Sequence, residues 1–172
     1  METFILLVWS IILLSFLYTA LSLAPWVPTK TRDLERIKKL VNLKTWEKFI
    51  ELGCWDARVS SFIAKGFPHA KIKGIEFSVL PYLAWKIRTL LSKQKNLQVQ
   101  FWNLYKQNLS EFDVIYFFGF PTTNMILREK LWKELKAWGK IISYTFEIKD
   151  WKGKVTKHKE NTNELAIYVY EK

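Results

Sequence analysis

Hydrophobic positions along the chain begin with one uninterrupted apolar run, Phe4 to Leu23, which contains 20 residues and no charge. At 1.5 Å per residue, a helix of this length would cross a hydrocarbon core of about 30 Å. The run therefore predicts an N-terminal transmembrane helix. A cleaved signal peptide is the alternative, although Glu2 precedes the run without any Lys or Arg, and Pro25 follows the only small-residue cleavage site.

Beyond this run, short apolar segments alternate with longer amphipathic ones. After Thr31, which can cap it, a helix is predicted over Arg32 to Leu43. The predicted strands are Lys48 to Leu52, Ile72 to Glu76, Leu97 to Trp102, Asp113 to Phe118, Lys140 to Phe146 and Leu165 to Tyr170. The predicted helices between them are Arg58 to Lys65, Leu80 to Ser92 and Thr123 to Ala137. This alternation indicates an α/β fold with a mostly parallel sheet and helices on both faces.

The C-terminal end departs from this alternation. A polar, Lys-rich stretch, Trp151 to Lys159, contains Gly153 and leads to the last apolar run without a helix between them. Such a connection predicts an antiparallel strand at the sheet edge. The expected domains are a transmembrane anchor over residues 1–24 and one α/β domain over residues 25–172.

The distribution of charged residues bears on where the protein is expected to lie in the cell. The chain has 27 Lys and Arg against 16 Asp and Glu, a net charge of +11, and basic residues cluster directly after the apolar run. This asymmetry predicts a single-pass membrane protein whose body is cytoplasmic and whose basic surface lies near anionic lipid. No RNA- or DNA-binding motif accompanies the charge, so no specific nucleic acid partner is expected. A single cysteine, Cys54, argues against a disulfide scaffold, and His69 and His158 lie in polar turns that do not suggest a metal site.

Candidate chemistry follows the first two strands. The loop after the first strand reads Glu51-Leu-Gly-Cys-Trp-Asp-Ala-Arg-Val59, directly before a helix, and Glu76 ends the second strand. In open α/β sheets, ligands bind outside the carboxyl ends of the strands. Glycine lets the backbone approach a ligand, a helix N-terminus offers free N–H groups, and a carboxylate accepts hydrogen bonds from a ribose diol. This pattern predicts a nucleoside-containing cofactor.

At these residues the chain resembles the class I S-adenosylmethionine-dependent methyltransferases, whose first motif is (Glu/Asp)-Leu-Gly-x-Gly-x-Gly. More narrowly, it is similar to the small membrane-anchored protein-lysine methyltransferases that act on the ATP synthase c subunit and the adenine nucleotide translocase. The matching segments are VPT at 27–29, ELGCWDARV at 51–59, GIEFSVLPYLAWKIR at 74–88 and FWNLYKQNLSEFDVIYFFGFPTTNMILREKL at 101–131. The resemblance implies a Rossmann-like methyltransferase sheet.

The resemblance also implies roles for individual residues. Glu51 would hold the methionine ammonium, and Glu76 would accept the ribose hydroxyls. Backbone groups of the loop would contact the amino-acid moiety, and this loop contains Gly53, Cys54, Trp55 and Asp56. Phe77 would flank the adenine, with Leu104 and Asn103 near it, the latter where the family more often has Asp. The methyl-transfer channel would be lined by Phe118, Gly119, Phe120 and Pro121.

The implied activity is transfer of a methyl group from S-adenosyl-L-methionine to a lysine of a membrane or membrane-proximal protein. Methyl transfer from a sulfonium needs positioning and desolvation of a neutral amine more than acid or base assistance, so no catalytic base is predicted. Two alternatives remain open. One is a degenerate methyltransferase fold that binds partners without turnover, and the other is a methyltransferase for a small molecule or lipid.

Tryptophan is unusually common, with 9 residues against 6 glycines. Trp46, Trp55, Trp102 and Trp138 occupy positions where this family usually has glycine and where turn chemistry favours it. One cause would explain all four: UGA encodes glycine in some bacterial lineages and tryptophan in others. The hypothesis is that the gene uses UGA for glycine, in which case the first motif would be ELGCGDARV.

Overall fold

The computed structural model of the protein describes residues 2–21, 28–79, 82–83, 85 and 94–172. Its first helix, α1, spans Glu2–Leu21. Over the described ranges, none of the helices combines the length and apolar character needed to cross a membrane. The predicted transmembrane helix and the single-pass membrane location with a cytoplasmic body are therefore wrong.

The body is built on a seven-stranded sheet in the order β3-β2-β1-β4-β5-β7-β6. The strands are β1 (Lys48–Leu52), β2 (Lys71–Glu76), β3 (Leu97–Phe101), β4 (Val114–Phe117), β5 (Lys140–Tyr144), β6 (Lys154–His158) and β7 (Ile167–Glu171). The first five strands are parallel, and β7 pairs antiparallel with both β5 and β6. The predicted α/β class is confirmed.

Helices cover both faces of the sheet. They are α2 (Leu34–Val41), α3 (Arg58–Gly66) and α4 (Pro121–Glu134), and a 3-10 turn, Thr31–Asp33, precedes α2. One core packs residues of α2 and α3 against the sheet, and includes Ile37, Ile63 and Phe49. The other packs α4, including Leu127, against the opposite face. Successive side chains of a strand point to opposite faces of the sheet, so alternate strand residues pack into the two cores.

The predicted elements agree with this architecture except near the C-terminus. The predicted helix over Leu80 to Ser92 falls mostly outside the described residues. The antiparallel strand is present, but it lies between β5 and β6 rather than alone at the edge. The edge strand is β6, which comes from the Lys-rich stretch predicted to be a polar connection. Its short, largely exposed pattern has no clear hydrophobic alternation that would have revealed it.

The segment before α2 is fastened to the centre of the sheet by buried polar contacts. Thr29 and Tyr116 are joined by a hydrogen bond of 2.8 Å between their hydroxyl oxygens. The Tyr144 hydroxyl donates to Asp33 Oδ2 at 2.6 Å. Burial alone would raise the pKa of Asp33, but hydrogen bonds from Tyr144 and Arg36 and the Arg36 charge outweigh it, so the pKa is lowered. These contacts bring the chain before α2 beside the candidate site.

Candidate active site

The candidate site lies at the carboxyl edge of the parallel strands, at the point where the strand order reverses. From β1, the chain continues to β2 on one side, and β4 pairs with β1 on the other side. Ligands of open α/β sheets bind at this kind of switch point. Leu52 is level with Ile75 of β2 and Phe117 of β4, so the predicted segments after these three strands meet at one edge.

The loop after β1 has an unusual backbone conformation. Gly53, Trp55 and Ala57 all have positive φ angles, of 72°, 43° and 51°. These are the three glycine positions of the motif, and only the first holds glycine in this chain. The left-handed region costs a non-glycine residue roughly 1–2 kcal/mol. The loop is therefore shaped for glycine at positions 55 and 57 even though tryptophan and alanine occupy them.

Glu51 is buried at the end of β1, with 5% of its surface exposed. Its Oε2 accepts hydrogen bonds from the Ser60 backbone N–H at 2.8 Å and from the Ser60 hydroxyl at 2.5 Å. Burial raises the pKa of Glu51 to about 8, despite these hydrogen bonds, and nearby Asp56 and Glu76 add to the shift. The site therefore favours a cation beside this carboxyl group, because a neighbouring positive charge would stabilise the charged form.

Glu76 fastens the loop to the end of β2. Its Oε2 accepts the Trp55 backbone N–H at 2.9 Å, while Oε1 accepts the N–H groups of Phe77 at 2.9 Å and Ser78 at 2.8 Å. A carboxylate has about four acceptor positions, so one remains for a ligand hydroxyl. Glu76 thus ends β2, where the resemblance predicts the carboxylate that accepts the ribose hydroxyls. Three of its acceptor positions already bind backbone N–H groups.

Gly53 and Cys54 are held by a single acceptor, the Ile75 carbonyl oxygen, which each N–H reaches at 2.9 Å. The Cys54 side chain points into the protein, since it is 2% exposed and a Cβ at Gly74 would be 2.9 Å from its Sγ. Burial raises the pKa of the Cys54 thiol well above its usual value, which favours the less reactive protonated thiol. Asp56 accepts from the Arg58 side chain Nε at 2.9 Å and closes the loop at the start of α3.

Aromatic rings lie beside Glu76 on the surface. Phe77 stacks on Phe101, with ring centroids 5.3 Å apart and an angle of 18° between the planes. Tyr82 also packs against Phe101, with ring centroids 5.6 Å apart. Phe77 and Phe101 are 41% and 38% exposed, so they form an accessible flat surface next to the predicted ribose ligand. The sequence predicted Phe77 at this surface but not Phe101, which its local pattern assigns only to a strand.

Asn103 and Leu104 follow β3. The Asn103 Oδ1 accepts the Tyr105 backbone N–H at 2.9 Å and so caps the short 3-10 turn Leu104–Lys106. Leu104 packs against the core on the α4 side. The remaining lone pair of Asn103 Oδ1 is the part of this side chain that a ligand amine could use.

The segment after β4 places Phe118, Phe120 and Pro121 at the same edge. Phe118 is half-buried and packs edge-on against Tyr144, with centroids 5.0 Å apart. Phe120 is 37% exposed, and Pro121 is the first residue of α4. Both phenylalanines also contact Phe146, at 6.2 and 6.1 Å between centroids. Phe146 was predicted only as the end of a strand, and its position here depends on the turn after β5.

The four tryptophans of the glycine hypothesis divide into two pairs. Trp46 and Trp55 have positive φ angles, of 72° and 43°, whereas Trp102 and Trp138 lie outside the left-handed region. Trp46 and Trp138 are 73% and 76% exposed. The backbone therefore supports glycine at positions 46 and 55, and gives no such support at 102 and 138.

Comparison with known proteins identifies the family. The family model described as the ANTKMT methyltransferase domain matches residues 51–155. The chain belongs to this family. It is thus a class I S-adenosylmethionine-dependent methyltransferase, as its resemblance predicted.

Two curated relatives agree with the assignment to the ANTKMT methyltransferase family. The chain is 29% identical over 153 residues to a protein-lysine N-methyltransferase of Saccharolobus islandicus, covering 85% of this chain and 92% of the relative. It is 24% identical over 131 residues to the human lysine N-methyltransferase of the ATP synthase c subunit, covering 74% of this chain and 54% of that protein. The family is therefore one of protein-lysine methyltransferases.

Solved structures agree on the fold. An RNA methyltransferase from Salinibacter ruber in complex with S-adenosyl-L-homocysteine matches with a TM-score of 0.74 and 20% identity, covering 84% of this chain and 92% of that one. A precorrin-6y C5,15-methyltransferase from Geobacter metallireducens matches with a TM-score of 0.66 and 13% identity, over 86% and 90% of the two chains. The Rossmann-like methyltransferase sheet is thereby confirmed.

S-adenosyl-L-methionine is the cofactor, and the residues at the site suit it. A buried carboxyl at Glu51 that has no countercharge among the described residues fits an ammonium, Glu76 has an acceptor position left for a hydroxyl, and exposed Phe77 can flank a base. Trp55 and Ala57 depart from the glycines of the first motif. The roles of the individual residues remain predictions.

Proposed function

We propose that the domain over residues 25–172 transfers a methyl group from S-adenosyl-L-methionine to the side-chain amine of a lysine in a protein substrate. The observation that carries this proposal is the arrangement of the switch-point edge. The acidic, glycine-shaped loop after β1 and the aromatic segment after β4 follow neighbouring parallel strands, so both lie at one edge of the sheet. Acidic and aromatic components of this kind suit a cationic cofactor and an alkylamine acceptor respectively.

The chain's own residues have distinct tasks in this proposal. The cofactor supplies an electrophilic methyl group on a sulfonium when it is bound. Glu51 holds the ammonium of the cofactor's amino acid, and Glu76 orients the ribose. Phe118 and Phe120 exclude water from the acceptor amine, and a low-dielectric channel lowers a lysine's pKa, which favours the neutral nucleophile.

Isotope-labelled S-adenosyl-L-methionine tests the proposal. The purified protein should transfer label to lysine residues of a protein extract, and digestion with mass spectrometry should locate methyl groups on lysine side chains. Glu76→Ala should abolish transfer, whereas Glu111→Ala should not, because Glu111 is an exposed residue paired with Lys48 away from the site. Label recovered only in lipid or small molecules would contradict a lysine substrate.

A further inference from the structure

The turn after β5 contains a strained backbone position next to Phe146. Thr145 has a φ angle of 74°, and the Phe146 N–H donates to the Tyr144 carbonyl oxygen at 3.0 Å. This bond between residues i and i+2 across a residue of positive φ defines the rarer and more strained γ-turn. A β-branched residue is the least suited to it. Strain of this kind persists only where surrounding contacts impose it.

Several contacts impose the turn. The Thr145 N–H donates to the Ala166 carbonyl oxygen at 2.8 Å, which joins the turn to the segment before β7. The Phe146 carbonyl oxygen accepts from the Ser143 hydroxyl at 2.6 Å and from Asn124 Nδ2 at 3.2 Å. Asn124 is 1% exposed and lies in the first turns of α4, directly after the segment that contains Phe118 and Phe120.

The turn also leaves polar atoms unsatisfied. In the described part of the chain, the buried oxygens Thr145 Oγ1 and Asn124 Oδ1 have no hydrogen-bond partner. Each such atom normally costs stability, so the arrangement is not one that stability alone would favour. What the turn achieves is the position of one side chain, because it brings Phe146 within ring contact of both Phe118 and Phe120.

We propose that Phe146, held by the Thr145 γ-turn, completes with Phe118 and Phe120 an aromatic wall that receives the substrate lysine and binds its methylated ammonium. The inference rests on the proposed function and adds a specificity-determining residue to it. The three rings form a group at the open edge of the sheet, since Phe120 is exposed and the other two are half-buried. Ring faces attract ammonium groups, and most strongly those that have lost their water shell.

The wall can be tested by binding as well as by turnover. The probe is Nα-acetyl-Nε-trimethyl-lysine amide, titrated by NMR into the protein saturated with S-adenosyl-L-homocysteine. Phe146→Leu keeps most of the side-chain bulk but loses the ring, and we expect it to weaken probe binding by about 3- to 30-fold. Trp138→Leu is the matched control, since this exposed tryptophan precedes β5 and lies at the opposite end of that strand.

A second variant separates positioning from packing. Thr145→Gly accepts the positive φ without strain and should raise the melting temperature. Because Phe146 is then less restricted, the affinity for the probe should fall several-fold. With a lysine substrate, Phe146→Leu should raise KM more than it lowers kcat and should change the ratio of mono-, di- and trimethyl-lysine. Cofactor affinity should be unchanged in both variants.

Two outcomes would overturn the proposal: no binding of the probe by the wild type, or equal binding by the wild type and Phe146→Leu. Probe binding that depends on Phe146, without methyl transfer to any lysine, would refute the proposed function and leave the aromatic wall supported. The two proposals therefore fail separately.

Discussion

Ser60 donates two hydrogen bonds to one oxygen of Glu51, from its backbone N–H and from its hydroxyl. This pair joins the end of β1 to the first turn of α3 across the glycine-shaped loop. These hydrogen bonds favour the charged carboxylate but do not outweigh desolvation, so burial still raises the pKa of Glu51 to about 8. Near neutral pH the group is therefore mostly protonated, and a ligand ammonium would convert it to the charged form.

The first prediction is that cofactor binding releases a proton. At pH 7, a group with a pKa of about 8 is mostly protonated, so an ammonium beside Glu51 should expel close to one proton. Calorimetric titration with S-adenosyl-L-methionine in buffers of different ionisation enthalpy measures this number. 5′-Methylthioadenosine, which has no amino-acid part, is the matched ligand and should release none. Equal proton release by the two ligands would contradict the role of Glu51.

The second prediction concerns stability and pH. The folded protein holds a proton on Glu51 up to a pKa of about 8, whereas the ordinary pKa of a glutamate, 4.5, applies in the unfolded chain. The contribution of this bound proton to the free energy of unfolding is thus complete below about pH 4.5. It is lost as the pH rises through 8. Glu51→Gln removes this loss and should stabilise the cofactor-free protein on the order of 2 kcal/mol at pH 9, with little effect at pH 5. Urea unfolding at both pH values provides the measurement.

The third prediction concerns the motif itself. Trp55→Gly should relieve the strain of a φ angle of 43° and restore the second glycine of the loop, so we expect tighter binding of S-adenosyl-L-methionine, by tenfold or more. Trp102→Gly is the control, because its backbone lies outside the left-handed region, and it should not improve binding. Calorimetry measures both. Affinity that falls in Trp55→Gly would show that the indole belongs to the site.

The fourth prediction uses two exposed tryptophans to isolate backbone strain. Trp46 has a φ angle of 72° and Trp138 does not have a positive φ, although both are about three-quarters exposed. Trp46→Gly should raise the free energy of unfolding by about 1 kcal/mol, whereas Trp138→Gly should leave it unchanged or lower it. Denaturant unfolding distinguishes the two variants.

UGG codons at 46 and 55 would refute the hypothesis that the gene uses UGA for glycine, and UGA codons would support it.

The fifth prediction couples two residues beneath the loop. A Cβ at Gly74 would lie 2.9 Å from Cys54 Sγ and 3.1 Å from Val99 Cγ2. Gly74→Ala should therefore destabilise the protein by about 1–3 kcal/mol through overpacking. Cys54→Ala removes the sulfur, so the double variant should lose less than the sum of the single changes. A double-mutant cycle of unfolding free energies measures this coupling, and strict additivity would show that the sulfur does not oppose the methyl group, which leaves the Cys54 Cβ and Val99 Cγ2, each 3.1 Å away.

The sequence predicted most of the sheet because strands and helices leave local patterns of apolar residues. The bounds of β1 agree with the prediction, and the other predicted strands differ by only a few residues at their ends. The loop motif was also accessible, since Gly53 and the carboxyl groups at 51 and 76 lie within short segments whose place after a strand could be deduced. Strand β6 was missed because its residues are mostly exposed and show no clear alternation.

Several features of the site depend on contacts between distant parts of the chain. Phe101 joins Phe77 only when β3 pairs with β2, and Thr29 reaches Tyr116 across 87 positions of sequence. No local pattern predicts the γ-turn at Thr145, because threonine normally avoids that conformation.

The sequence by itself determined the fold class, the family and the loop that would hold the cofactor, because these depend on local periodicity and on a short motif. Only the tertiary structure decided which aromatic residues share the acceptor side of the site and which glycine-like positions carry a left-handed backbone. The physical reason is that the backbone at Trp55 and Thr145 is imposed by partners far along the chain, Glu76 and Ala166, against the local preference of each residue.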